Sequence, residues 1–149
     1  MPNDFRYTSL IIAVDSSESA DRAIGHGLAM ASTLGLPIRL VHVVEPLPLS
    51  GMDSRKATAA QSFDDAPEDT LGAALLDRHL ASIDRPDLDI EPVLLAGDPA
   101  EALLRYLEEC DRPLLIVGRR GHGRFAELLL GSVSDKLLRH APCPVTIVA

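Results

Sequence analysis

The sequence predicts an α/β fold in which a five-stranded parallel sheet is covered by helices on both faces. Three observations predict it. Five short β-rich runs, Ser9–Val14, Ile38–Val44, Leu88–Leu95, Leu114–Val117 and Val145–Val148, alternate with segments of helical periodicity. Most of these runs are almost continuously apolar, as expected of strands buried on both sides. The chain has 149 residues, 46% of them hydrophobic, which is enough to bury one full core and argues against disorder. A single domain over residues 1–149 follows.

Each element has its own justification. Ser9–Val14 is the first strand. The first helix begins after Ser16 or Ser17, turns Ala20, Ile24, Leu28, Ala31 and Leu34 toward the sheet, and stops at Gly35. Ile38–Val44 is the second strand. The segment from Glu45 to Asp69 carries Pro46, Pro48, Gly51, Pro67 and an acidic cluster, and reads as a long mobile connection. A second helix is expected around Thr70–Ile83. Leu88–Leu95 alternates with acids and contains Pro92, which cannot donate to a ladder, so it reads as an edge strand. Asp98-Pro99-Ala100-Glu101 opens the third helix with an N-cap, a first-turn proline and an acid at the third position. Its apolar face is Ala102, Leu103, Tyr106, Leu107 and Cys110. Leu114–Val117 follows, then a fourth helix from about Val133 to His140 that Pro142 ends. Val145–Val148 closes the chain, with nothing later in sequence to cover it; as a sheet edge it invites pairing with a second copy.

Composition narrows the function. Aromatic residues are 3% and Trp is absent, so there is no platform on which single-stranded nucleic acid could stack. Fourteen basic residues against 22 acidic ones give a net charge of −8, which disfavours phosphate backbones and anionic lipid. Neither nucleic-acid binding nor membrane insertion is expected. Cys110 and Cys143 are too far apart for a C-x-x-C pair, and the apolar run from Leu10 is too short for a signal core. A reduced cytoplasmic protein is the expectation. Among His26, His42, His79, His122 and His140 no pair has metal-ligand spacing, and four of the five read as packing or surface residues. No nucleophile–base arrangement is legible, so no catalytic residue and no metal ligand is expected.

The chemistry concentrates after the fourth strand. Gly118-Arg119-Arg120-Gly121-His122-Gly123-Arg124 is followed by Gly131-Ser132-Val133-Ser134, a G-x2-G-x9-G-S pattern. Glycine at the carboxyl end of a parallel strand lets the backbone turn sharply and approach a ligand. Successive amides in such a turn form an anion site, and the opening of a helix adds free N–H groups. Arg112 to His140 holds six Arg or Lys and two acids, a net of +4 inside an acidic chain. Singly, each feature has a plainer account: Ser132 and Asp135 form a capping-box-like pair, and Asp15 could cap the first helix with Ser16 and Ser17. Together, at the correct end of the correct strand, they point to phosphate.

The run from Leu114 to Val148, LLIVGRRGHGRFAELLLGSVSDKLLRHAPCPVTIV, resembles the C-terminal signature of the universal stress protein family. Leu10–Ala20 (LIIAVDSSESA) resembles its first strand and loop, and Gly97–Ala100 the start of its third helix. The resemblance implies a doubly wound sheet of strand order 3-2-1-4-5 and a homodimer joined through Val145–Val148. It also implies the ATP-binding branch, since every motif position is present. Carried over by position, Gly118, Gly121, His122 and Gly131 shape a phosphate cradle, and Ser132, Val133 and Ser134 offer hydroxyls and amides. Ala13, Val14 and Asp15 lie at the adenine and ribose, and Val43 packs on the adenine. Arg119 occupies a variable motif position and enters through its backbone alone.

The expected function is therefore an ATP-binding stress-response regulator or adaptor, taking ATP with or without Mg2+ and acting on an unidentified protein partner. Turnover is expected to be absent, or at most slow hydrolysis or autophosphorylation. Two rivals stand beside it. One is a nucleotide-independent dimeric interaction module. The other is an adenylating enzyme using the ATP α-phosphate, which the first loop disfavours: Asp15-Ser16-Ser17-Glu18-Ser19 lacks the glycines of an S-G-G-x-D-S loop.

Overall fold

The computed structural model describes residues 6–46, 71–119 and 130–149. Their order is β1 (Ser9–Ala13), α1 (Glu18–Leu34), β2 (Ile38–Val44), α2 (Leu71–Ser82), β3 (Ile90–Ala96), α3 (Pro99–Glu109), β4 (Pro113–Gly118), α4 (Ser132–His140) and β5 (Val145–Val148). The strands form one sheet of order β3-β2-β1-β4-β5, with every pair parallel. The sheet is the expected one. Most of the segment read as a mobile connection, residues 47–69, lies outside the described residues.

Alternation along the strands makes two cores. Leu10 and Ile12 of β1 pack with Ala23 and Ala31 of α1 and Leu76 of α2 on one face. Ile11 packs with Leu103 and Leu107 of α3 and Leu137 of α4 on the other. Helices on both faces explain why the central strands read as continuous apolar runs: both sides of β1 and β4 are dry.

The helix ends follow local chemistry. The Ser17 hydroxyl accepts the Ala20 N–H at the start of α1, and Gly35 ends that helix at φ 66°, a left-handed position that costs glycine little. Asp98 caps α3 by accepting the Glu101 N–H at 3.0 Å, and Pro99 occupies the first turn. Three expectations need correction. Leu34 is 48% exposed, because the buried stripe of α1 runs through Ala20, Ala23, Ile24, Gly27 and Ala31 and its next turn falls on the reversal at Gly35. β3 starts at Ile90 rather than Leu88, since Arg85 and Asp87 pair at 2.7 Å and the Leu88 N–H closes a turn onto the Arg85 carbonyl. Ser132 is not the cap of α4: Gly131 is, with no side-chain cap bond, and Asp135 instead pairs with Arg139 one turn on.

Candidate functional site

The strand order reverses direction between β1 and β4, so their carboxyl ends diverge and leave a crevice at the topological switch point. A cleft of about 860 Å³ opens there, within the range of small-molecule sites. The ends of β1, β2 and β4 form its floor. The first turns of α1, α3 and α4, with Leu71, Gly72 and Leu75 of α2, form its walls. Val41, Val43, Val44, Leu75, Leu103 and Val117 give it a broad aliphatic lining, with no Phe, Tyr or Trp among the described lining residues.

Nine of the twelve residues expected at the site line this cleft: Ala13, Val14, Asp15, Val43, Gly118, Gly131, Ser132, Val133 and Ser134. Gly121 and His122 lie outside the described residues. Arg119 is not among the lining residues. Its N–H donates to the Val148 carbonyl at 2.8 Å and its C=O accepts the Gly131 N–H at 2.9 Å, so both backbone groups have partners in β5 and at the start of α4.

Asp15 follows the end of β1. Its Oδ1 accepts the Ser17 N–H at 2.9 Å and also the Ser17 hydroxyl, so one carboxylate oxygen braces the start of α1. Val14 extends the ladder by one bond, donating its N–H to the Val41 carbonyl at 2.8 Å. Two histidines, read in the sequence as packing or surface residues, bond the same short connection. His42 Nδ1 lies 2.8 Å from the Val14 carbonyl, and His79 Nε2 lies 3.0 Å from the Asp15 carbonyl. The signal was present for His42: a polar ring between Val41 and Val43, partly buried in an otherwise apolar stretch of strand, needs a partner.

Beyond β4, the strand beside β1, α4 begins. Its first intrahelical bond runs from the Asp135 N–H to the Gly131 carbonyl, so the amides of Ser132, Val133 and Ser134 precede the ladder. These are the groups that meet anions at helix starts. The Ser134 hydroxyl, expected to face phosphate, donates to the Gly118 carbonyl at 2.8 Å and is buried. It joins β4 to α4. Gly118 likewise has a packing reason to be glycine: a Cβ there would meet the Ser19 hydroxyl and stand 2.7 Å from the Ser19 carbonyl oxygen.

The charged side chains lining the described part of the cleft are Asp15, Glu45 and Asp135, all acidic. Asp135 is balanced by Arg139 at 3.0 Å. Lys136, the lysine of α4, is held at 3.1 Å by Glu101. No lysine or arginine is among the described lining residues, and the helix starts of α1, α3 and α4 face the cleft with their positive ends. No group of three or more potential metal ligands occurs among the described residues, and none of their helices is long and apolar enough to cross a membrane.

Comparison with known proteins agrees with this geometry. The profile of the universal stress protein family matches residues 6–149. A universal stress protein of Thermus aquaticus is 32% identical over 142 residues, covering 95% of this chain and 98% of its own. One of Mycobacterium tuberculosis is 30% identical over 93% of this chain but 46% of its own, so the chain spans about half of that relative. Among solved structures, a universal stress protein family member from Burkholderia pseudomallei has a TM-score of 0.66 at 28% identity, covering 99% of this chain and 98% of its own. A universal stress protein in complex with cAMP has a TM-score of 0.67 at 24% identity, with 96% and 97% covered. One from Archaeoglobus fulgidus in complex with dAMP has 0.66 at 22%, with 96% and 98% covered. The last two share the fold.

Proposed function

This chain belongs to the universal stress protein family, and on that premise we propose that it binds an adenine nucleotide in the switch-point cleft and acts as a nucleotide-dependent stress-response regulator or adaptor. One observation carries the reading. In one cleft the aliphatic end of β2, the Asp15 carboxylate after β1 and the unladdered amides of Ser132–Ser134 after β4 follow one another in the order of the strands. An adenosine phosphate has the matching sequence of groups: a flat apolar base, a sugar with hydroxyl donors, and an anion. The base packs on Val43, Asp15 accepts from the sugar or the base amine, and the phosphate meets the helix start. Relatives of the same fold are complexes with cAMP and dAMP, which supports an adenine nucleotide as the class.

ATP is the proposed ligand, with Mg2+ as its counter-ion in solution. The nucleotide orders the cleft and is not turned over rapidly, and the setting is the cytoplasm. A homodimer joined through β5 is part of the proposal, because β5 pairs with β4 alone and its four residues are half-buried.

Calorimetric titration of nucleotide-stripped protein with ATP, with and without Mg2+, and with AMP as control, tests the reading. Saturable binding that the Asp15→Asn variant weakens supports it. The absence of competition by any adenine nucleotide would refute it and leave the dimeric interaction module, to which the packing roles of Gly118 and Ser134 already give some weight.

A further inference from the structure

We infer that His79 of α2 is a positioning residue for the nucleotide: its bond to the Asp15 carbonyl sets the orientation of the Asp15 carboxylate in the cleft. The inference rests on the nucleotide reading of that cleft. Residues 14 and 15 belong to no helix or strand, yet their polar groups are fixed from four directions. The Val14 N–H goes to Val41 and the Val14 carbonyl faces His42 of β2. The Asp15 carbonyl faces His79, and Asp15 Oδ1 is held by Ser17. A carbonyl only accepts, so the His79 Nε2 carries the proton in this contact. On the far side of the ring, Nδ1 lies 3.6 Å from Asp21 Oδ1, beyond hydrogen-bond reach, so the Asp15 carbonyl is the bonded partner of the ring.

His79 is 6% exposed and shares the buried face of α2 with Gly72, Ala73 and Leu76. Packing alone would favour leucine there, since burying an imidazole without a partner is costly. The ring instead reaches a carbonyl 64 residues away in sequence, at the one connection that carries the cleft's sugar-end carboxylate. The seat of α2 is thereby coupled to Asp15. Gly72 allows that seat: a Cβ would meet Val44 and stand 3.0 Å from Leu94 and 3.3 Å from the His42 ring. Both histidines and α2 thus close on one loop.

The test compares AMP affinity by calorimetry, with thermal unfolding of the ligand-free protein as a parallel readout. His79→Leu is expected to weaken AMP binding by roughly three- to tenfold, the range set by losing one buried hydrogen bond that orders the site. His79→Gln, whose amide N–H2 reaches the Nε2 position, restores binding to near the wild type. Asp15→Asn keeps the Ser17 brace, and in that background His79→Leu is expected to cost little more, because the histidine acts through Asp15. Unchanged affinity in His79→Leu, no recovery with His79→Gln, or additive losses in the double variant would each overturn the inference. Should His79→Leu not fold, His79→Gln against His79→Asn makes the same comparison, since the shorter amide falls short of the carbonyl. If the wild type binds neither AMP nor ATP, the nucleotide reading fails and this inference fails with it; wild-type binding of either nucleotide with an indifferent His79 overturns the inference alone.

Discussion

Gly118→Ala separates a glycine needed for a ligand from one needed for packing. A Cβ at position 118 would stand 2.7 Å from the Ser19 carbonyl oxygen and 2.8 Å from its carbon, besides meeting the Ser19 hydroxyl. Ordinary contact begins near 3.4 Å, so Ser19 must retreat by about 0.7 Å. The hydroxyl can rotate away, but the carbonyl is backbone in the first turn of α1. Moving it disturbs the Ser17 cap and the brace to Asp15. Overpacking of this kind costs about 1–3 kcal/mol, or roughly 2–12 °C in Tm for a chain of this size. The measurement is thermal unfolding of nucleotide-free protein at fixed concentration, since assembly would make Tm concentration-dependent. Adding Ser19→Ala recovers only a minor share, because the carbonyl remains. A Gly118→Ala protein that unfolds with the wild type yet loses nucleotide affinity would refute the reasoning and return this glycine to the ligand.

Ser134→Ala removes the bond to the Gly118 carbonyl and is expected to destabilise the nucleotide-free protein by about 1–2 kcal/mol; loss confined to the nucleotide-bound protein would show that the hydroxyl serves the ligand. Pro144 and Val148 turn their carbonyls to β4, so the N–H groups of Val145 and Ile147 face the open edge. Ile147→Pro should therefore yield a folded monomer by light scattering, and a persistent dimer would exclude edge pairing. Burial raises the Cys143 thiol above its ordinary 9.0, helped by the neighbouring Cys110 thiol. Burial likewise raises the Tyr106 phenol above 10.0, against the opposing pull of Arg39. Both acids hold their protons more tightly when folded, so their contribution is complete below about pH 9 and is lost as pH rises through the folded values. Urea unfolding from pH 7 to 11, with Cys143→Ala and Tyr106→Phe as controls, should show stability falling at the alkaline end less steeply in the variants; equal slopes in all three proteins would contradict this.

What was legible in the sequence was what is decided locally. The caps at Ser17, Gly35 and Asp98 involve residues within one helical turn, and each stands where the pattern places it. The doubly buried strands announce themselves because both neighbours of each residue are apolar. Pro92 marks β3 as an edge for the same kind of reason: a missing N–H is a property of the residue itself. What was not legible is non-local. Gly118 lines the cleft and also packs on Ser19, almost a hundred residues away, and Gly131 rather than Ser132 caps α4, with its N–H on the Arg119 carbonyl. His79 carries no local signal at all, since only the fold brings α2 over the first loop.

The two ends of the cleft are built on different principles, and that difference predicts how nucleotides are ranked. The Asp15 end is fixed by side chains from β2, α1 and α2, so it discriminates by geometry. The α4 end offers three amides and a helix start, a contribution of about 0.3–1 kcal/mol from the dipole, which suits one phosphate. A triphosphate brings more charge than those amides can meet, into a cleft whose described charged side chains are Asp15, Glu45 and Asp135. Any preference for ATP over AMP must then come from Mg2+ or from the G-x2-G-x9-G-S stretch outside the described residues, through its amides or through Arg120 and Arg124. The double variant Arg120→Gln, Arg124→Gln, titrated with both nucleotides in the presence and absence of Mg2+, measures this. The expected outcome is a loss of ATP affinity with AMP affinity little changed. Equal losses for both nucleotides would place those arginines at the first phosphate, and equal wild-type affinity for ATP and AMP would mean that the amides of Ser132–Ser134 are the whole of the phosphate site.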